Sequence, residues 1–127
     1  MSDQPLNGKV AVVTGASRGL GRAMSLSLAE AGASIACVGR DEGRLLETKA
    51  LINDAGAEAE IFVCDVRHES QVGDLEKRVS ERFGPVHILI NNAGTAIRKN
   101  LIDFSLDEWN VVLDTNLTGV FLCSRAF

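Results

Sequence analysis

Near the start of the chain, Thr14-Gly15-Ala16-Ser17-Arg18-Gly19-Leu20-Gly21 has the spacing of a phosphate cradle. It follows a short apolar run, Lys9–Thr14, and leads into residues spaced as a helix. The glycines fall as Gly-x-x-x-Gly-x-Gly, not as the commoner Gly-x-Gly-x-x-Gly. Gly15 permits a sharp turn off the strand. Gly19 leaves no Cβ where two linked phosphates must approach, and Gly21 lets the helix pack closely on the sheet. The first turn of a helix offers unpaired N–H groups and the positive end of its dipole, which together attract an anion. Glycine spacing alone is weak evidence, since plain turns share it. Its place between a strand and a helix gives it meaning.

The elements that must hold this loop alternate along the chain. Leu20 to Ala31 carries apolar residues at helical spacing and stops at Gly32. Ser34–Gly39 reads as a second buried strand. Asp41 caps a helix running to about Asp54 and closed by Gly56. Glu60–Cys64 is a third strand, and a helix runs from near Glu69 to Phe83, closed by Gly84-Pro85. His87–Ile90 is a fourth strand. Ser105 with Glu108 forms a capping-box pattern that opens a last helix, continuing to the end of the chain. The order β-α-β-α-β-α-β-α, with continuous apolar strands, implies an α/β fold: a doubly wound parallel sheet of Rossmann type, covered on both faces. No interior linker or repeat appears, so residues 1–127 read as one dinucleotide-binding domain. Four strands leave one edge without the second half of such a sheet, so the domain reads as incomplete.

Composition narrows the function. The 127 residues carry 13 Lys and Arg against 17 Asp and Glu, a formal charge of −4, which argues against a nucleic-acid partner. No apolar stretch approaches the roughly 20 residues that span a bilayer, so no membrane partner is expected. Met1–Asn7 shows no basic-then-apolar leader pattern. The three cysteines, Cys37, Cys64 and Cys123, form no Cys-x-x-Cys pair and each lies in an apolar run. They read as small buried hydrophobes in a reducing compartment, with cytoplasm the default and no metal site. His68 and His87 read as structural.

Four motifs in order, Thr14–Gly21, Cys64-Asp65-Val66, Asn91-Asn92-Ala93-Gly94 and Asp114-Thr115-Asn116-Leu117-Thr118-Gly119, closely resemble the short-chain dehydrogenase/reductase family. The resemblance covers the chain from about Gly8 to its last residue. It implies that Thr14, Gly15, Ser17, Arg18, Gly19, Leu20 and Gly21 hold a dinucleotide. It implies that Asp65, with Val66, sits beside the adenine, and that Asn92, Ala93 and Gly94 line the adenosine ribose while Asn91 steadies the sheet. It also implies that Asn116 belongs to a catalytic Asn-Ser-Tyr-Lys set, holding a water in a proton relay. From the residues alone, Asp65 is equally a turn cap and Asn116 a core amide that must find partners.

The cofactor follows from the end of the second strand. A carboxylate there would bond a ribose 2′-hydroxyl. Gly39 stands in that place and Arg40 follows, a planar fork suited to a 2′-phosphate, with Arg18 able to close from the other side. This favours NADP(H). Asp41, one step on, keeps NAD(H) as second choice.

The sequence contains no tyrosine, so the Ser-Tyr-Lys part of the set is expected beyond Phe127, and residues 1–127 alone are expected to be inactive. Thr95–Phe104 resembles the same stretch in enzymes acting on sugars and sugar acids, with Arg98 and Lys99 placed to dock an anionic group. A small carbonyl or alcohol substrate is expected, and a 3-ketoacyl-carrier-type reductase is the neighbouring alternative. A dinucleotide-binding sensor and a scaffold are the non-enzymatic readings, and the intact glycines weigh against the scaffold. The last helix has more apolar residues than one sheet face needs, which suggests a homodimer or homotetramer.

Overall fold

Hydrophobic alternation along the strands decides how this chain packs. In β1 (Val10–Thr14), Val12 faces one way while Ala11 and Val13 face the other. In β2 (Ser34–Gly39), Ala36 and Val38 join Val12, and Ile35 and Cys37 join Ala11 and Val13. A strand whose two faces are both apolar must be buried on both sides. The computed structural model, which describes residues 3–127, builds two cores accordingly. Met1 and Ser2, the start of the segment read as lacking a leader pattern, lie outside the described residues.

The remaining elements follow in alternation: α1 (Gly19–Glu30), α2 (Glu42–Asp54), β3 (Ala59–Val63), α3 (Glu69–Phe83) and β4 (Ile88–Ile90). The sheet is parallel throughout, in the order β3-β2-β1-β4. Leu45 and Ile52 of α2 and Ala29 of α1 fill the core on one face. Val72, Leu75 and Val79 of α3 fill the other, with Leu122 and Cys123 from the last helix. The chain reverses its direction of growth between β1 and β4, so the carboxyl ends of those strands open a crevice there.

Most boundaries agree with local chemistry. The Asp41 side chain accepts the Arg44 N–H at 3.1 Å and caps α2. Ser105 and Glu108 make the reciprocal capping box that opens α4 (Leu106–Leu113). Strand β4 starts one residue later than expected because His87 pairs with Val10 partly through its ring. Its N–H donates to the Val10 carbonyl, and its Nδ1 accepts the Val10 N–H at 3.0 Å. His87 is thus structural, closing the entrance of the β1–β4 ladder. Strand β3 begins and ends one residue earlier than expected, although the Cys64 N–H still bonds the Gly39 carbonyl.

The last helix differs more. A short 3₁₀ turn, Leu101–Asp103, precedes it. The helix is then interrupted by a π turn, Asp114–Thr118, where the Gly119 N–H reaches back to the Asp114 carbonyl. It resumes as α5 (Gly119–Ala126). Leu106, Trp109, Leu113, Leu117 and Phe121 stay exposed along it.

The three cysteines are buried free thiols. Burial pushes the Cys37 thiol up to about 12 and the Cys64 thiol to about 11 from an ordinary 9.0, and it raises Cys123 as well. Thiolates form in the unfolded chain first, so the stability these thiols lend is complete below pH 9 and declines as pH rises toward 12. A thiol reagent at pH 8 should label none of the three in the native protein and all three in denaturant. Rapid native labelling would contradict this burial.

Candidate functional site

The turn between β1 and α1 leaves its amides unused. Gly15 and Gly19 both adopt positive φ, +65° and +55°. Arg18 occupies the cap position of α1 but makes no side-chain cap, and no acidic residue lies in the first turn. The amide groups of Ser17 and Arg18 donate to nothing among the described residues. Helices α2 and α4 spend a side chain on this end, and α1 does not. Unpaired N–H groups at a helix start, with the dipole behind them, form an anion site. A Cβ at Gly19 would stand in open space. A Cβ at Gly21 would collide with the Gly15 carbonyl, so Gly21 serves the packing of helix on loop rather than of helix on sheet.

This turn forms one wall of an open cavity of about 530 Å³. Val38, Gly39 and Arg40 at the end of β2 form a second wall, with Cys64, Asp65 and Val66 after β3. Asn92, Ala93 and Gly94 after β4 complete it. The structure therefore gathers the glycine loop and the three strand-end motifs at one place, the carboxyl edge of the sheet. One wall offers the unused amides of the glycine loop, and the others combine small residues such as Gly39, Ala93 and Gly94 with charged side chains, a donor set and size that fit a dinucleotide.

Thr14 does not line the cavity. It is buried, and its hydroxyl joins β1 to the turn after β4. It accepts the N–H groups of Asn92 and Ala93, both at 2.9 Å, and donates to the Ile90 carbonyl at 3.3 Å. The Asn92 amide in turn donates to the Gly15 carbonyl at 3.2 Å. Asn91 reaches the other way, to the Ser124 hydroxyl on α5.

Asp65 is held from its own loop. Arg67 grips both carboxylate oxygens, the shorter contact being 2.7 Å. That hydrogen-bonded guanidinium holds the Asp65 carboxyl below its ordinary value, against the opposite pull of burial. The turn-cap reading also holds, because Oδ1 accepts the Arg67 N–H.

The charges around the cavity are unevenly paired. Asp41 is committed to capping α2 and to an ion pair with Arg44, Nε to Oδ2 3.6 Å. Arg44 lines the cavity as well, although the sequence reading passed over it. The guanidinium groups of Arg18 and Arg40 have no hydrogen-bond or ion-pair partner among the described residues.

Asn116 lies in the π turn, beside a second hollow that it shares with Arg18, Arg40 and Gly94. Its Oδ1 accepts the Thr95 N–H at 2.8 Å and its Nδ2 donates to the Thr95 carbonyl at 2.9 Å. The amide thus finds both partners on one residue of the loop after β4. Lys99 pairs with Glu108 at 2.6 Å, holding that carboxyl below its usual range within the capping box. Arg98 has no such partner among the described residues. Nor do three His, Cys, Asp or Glu side chains gather there as metal ligands.

A doubly wound sheet with an anion cradle and a flat-walled crevice at its carboxyl edge defines the broad class of nucleotide-binding α/β proteins. The sequence pattern of the short chain dehydrogenase family matches residues 9–127, and the chain belongs to that family. An uncharacterized oxidoreductase of Staphylococcus epidermidis is 39% identical over 111 residues, 87% of this chain and 47% of the relative. The crystal structure of NAD+-bound xylitol dehydrogenase superposes with a TM-score of 0.91 at 37% identity, covering 95% of this chain and 47% of that one. A metagenomic short-chain oxidoreductase in complex with NADP gives 0.92 at 36% identity, covering 96% and 56%. The chain spans about half the length of the curated relatives it matches.

Replacing Thr14 by Val keeps shape and strand preference but strands the Ala93 amide, while the Asn92 amide keeps its bond to the Ile90 carbonyl at 3.1 Å. Urea denaturation should show a loss of about 1–3 kcal/mol, the cost of one unsatisfied buried donor. Thr14→Ser should lose far less. Equal stabilities for the two variants would show that the hydroxyl does not join β1 to β4.

Proposed function

We propose that this chain binds NADP(H), with NAD(H) the weaker ligand, and that the protein it belongs to interconverts a secondary alcohol and a ketone. The observation that carries the reading is the open start of α1. Ser17 and Arg18, whose amides are unused among the described residues, line a crevice whose rim holds two guanidiniums with no partner among those residues. In this reading Ser17, Arg18, Gly19 and Leu20 hold the pyrophosphate. Asp65 and Val66 take the adenine side, and Asn92, Ala93 and Gly94 the ribose. Arg40 and Arg18 take the 2′-phosphate. Asp41, the carboxylate two residues past Gly39, is already occupied by Arg44 and by the cap. Thr14 and Gly21 support the loop from behind.

A bound nicotinamide supplies or accepts the hydride. This chain contributes orientation and Asn116, whose hold on Thr95 fixes the loop beside the second hollow. The sequence has no tyrosine, so the proton donor is assigned to residues outside these 127, which would be inactive alone. For substrate we favour a sugar, sugar acid or similar small polar carbonyl compound, with Arg98 as the anion contact. A 3-ketoacyl-carrier-type reductase is the neighbouring alternative. The exposed apolar stripe from Leu106 to Phe121 supports a homodimer or homotetramer, and the buried free thiols support a cytoplasmic setting. Among the described residues no helix is long and apolar enough to cross a membrane.

Titration of the full-length protein, followed by nicotinamide fluorescence, tests the reading. NADPH should bind more tightly than NADH. Arg40→Ala should weaken NADPH roughly 10–100-fold, as the loss of a charge-assisted contact predicts, and barely change NADH. Flat titrations with both would overturn it. Binding without turnover of any alcohol or ketone would leave a sensor. Sedimentation of a stable monomer at micromolar concentration would overturn the assembly.

A further inference from the structure

Between α1 and α2 lies a polar seam bonded to the phosphate loop, and its two principal side chains, Arg22 and Thr48, do not line the cavity. Thr48 of α2 is fully buried, and it is one of few polar side chains in the core. Its hydroxyl donates to the Ala16 carbonyl at 2.8 Å. Arg22 of α1 meets it there, Nε donating to Thr48 Oγ1 at 2.9 Å. Arg22 Nη2 donates to the Ser17 carbonyl at 2.7 Å, with the Arg44 carbonyl and Glu47 Oε2 both at 3.1 Å. None of these bonds is needed to pack two helices, since apolar side chains do that without burying donors.

The target atoms give the seam its meaning. The Ala16 carbonyl belongs to the peptide plane that carries the Ser17 N–H, and the Ser17 carbonyl to the plane that carries the Arg18 N–H. A trans peptide points its C=O and N–H in opposite directions. Two carbonyls tied back toward α2 therefore aim the two unused amides away from α2. A hydroxyl has one hydrogen, and the Arg44 carbonyl, at 3.3 Å, competes with Ala16 for it. By filling a lone pair of Thr48 Oγ1, Arg22 helps orient that hydrogen toward Ala16. Glu47 steadies Arg22 from the solvent side.

We propose that Arg22 and Thr48 are positioning residues for the dinucleotide. They touch no ligand but set the directions of the Ser17 and Arg18 amides that grip its pyrophosphate. This rests on the dinucleotide reading above. Because pyrophosphate is common to both cofactors, the seam acts on NADP(H) and NAD(H) alike. That separates it from Arg40, which acts on NADP(H) alone.

The test uses the full-length protein with Thr48→Val, Thr48→Ser, Arg22→Met and Arg22→Lys, titrated with NADPH and NADH well below each melting temperature. Thr48→Val and Arg22→Met should weaken both cofactors by the same factor, about 10-fold, the scale of one lost hydrogen bond to a charged group. Thr48→Ser should restore binding. In 15N-resolved spectra, NADP+ should shift the Ser17 and Arg18 amides in wild type and Thr48→Ser, and shift them less in Thr48→Val. Should Arg22→Met fail to fold, Thr48→Val and Arg22→Lys decide the matter, the latter falling between wild type and Thr48→Val. Wild-type affinity in Thr48→Val, or a loss confined to NADPH, overturns the proposal. A wild type that binds neither cofactor sinks the dinucleotide reading and this proposal with it, whereas a wild type that binds while Thr48→Val is unaffected sinks only the seam.

Discussion

Backbone amides at the start of a helix must go somewhere. At α2 one goes to Asp41, and at α4 one goes to Ser105. At α1 the cap position holds Arg18, whose side chain has no oxygen to offer, and the amides remain open to the crevice. An anion is the partner that satisfies several of them at once. The surrounding structure keeps this end vacant. Gly19 places no side chain there, and Gly21 draws the helix so near that its position would not admit a Cβ. The rest of the site is arranged around that vacancy.

Vacancy alone would not make a crevice. The parallel order β3-β2-β1-β4 brings every strand end to the same edge, and the reversal between β1 and β4 opens the gap. Thr14 then sets the width of that gap. One hydroxyl with three bonds ties the last residue of β1 to the end of β4 and the turn after it, so the start of the glycine loop and the Asn92–Gly94 turn are joined at Thr14. Asn92 adds a second tie to the loop itself. Two walls of the cavity are thus coupled by hydrogen bonds between residues more than 70 positions apart.

Which features were legible in the sequence follows from how far their causes reach. The α2 start was legible because Asp41 and Arg44 interact within one turn, and the α4 start because Ser105 and Glu108 do. The strands were legible because burial on both faces writes a continuous apolar run. The π turn was not. Thr115, Asn116 and Leu117 have ordinary helical chemistry. The two bonds Asn116 makes to Thr95, 21 residues away, and the contact of Gly119 with Val66 accompany the extra residue in the turn, and neither lies in any local window. The pairing of Lys99 was hidden for the same reason: its partner, Glu108, lies beyond a 3₁₀ turn that no periodicity announced. Thr14 resembles a loop residue in its motif, yet its hydroxyl is spent on strand-to-strand bonds.

Charge near the crevice illustrates how an acidic protein can present a cationic rim. The net charge of −4 says nothing about this edge. Three arginines stand around it, Arg18, Arg40 and Arg44, and a carboxylate claims one: Asp41 takes Arg44. Arg18 and Arg40 have no such partner among the described residues, and both border the two adjoining hollows. Gly39 at the end of β2 brings no carboxylate to this edge, and Asp41, two residues on, spends its charge on a helix cap and an ion pair with Arg44. The pairing of Asp41 with Arg44 rather than with Arg40 accompanies the start of α2. That helix carries Thr48, which reaches the carbonyl side of the glycine loop. The cap at Asp41 and the bond from Thr48 to the glycine loop thus belong to one helix, entered beside the rim of the crevice.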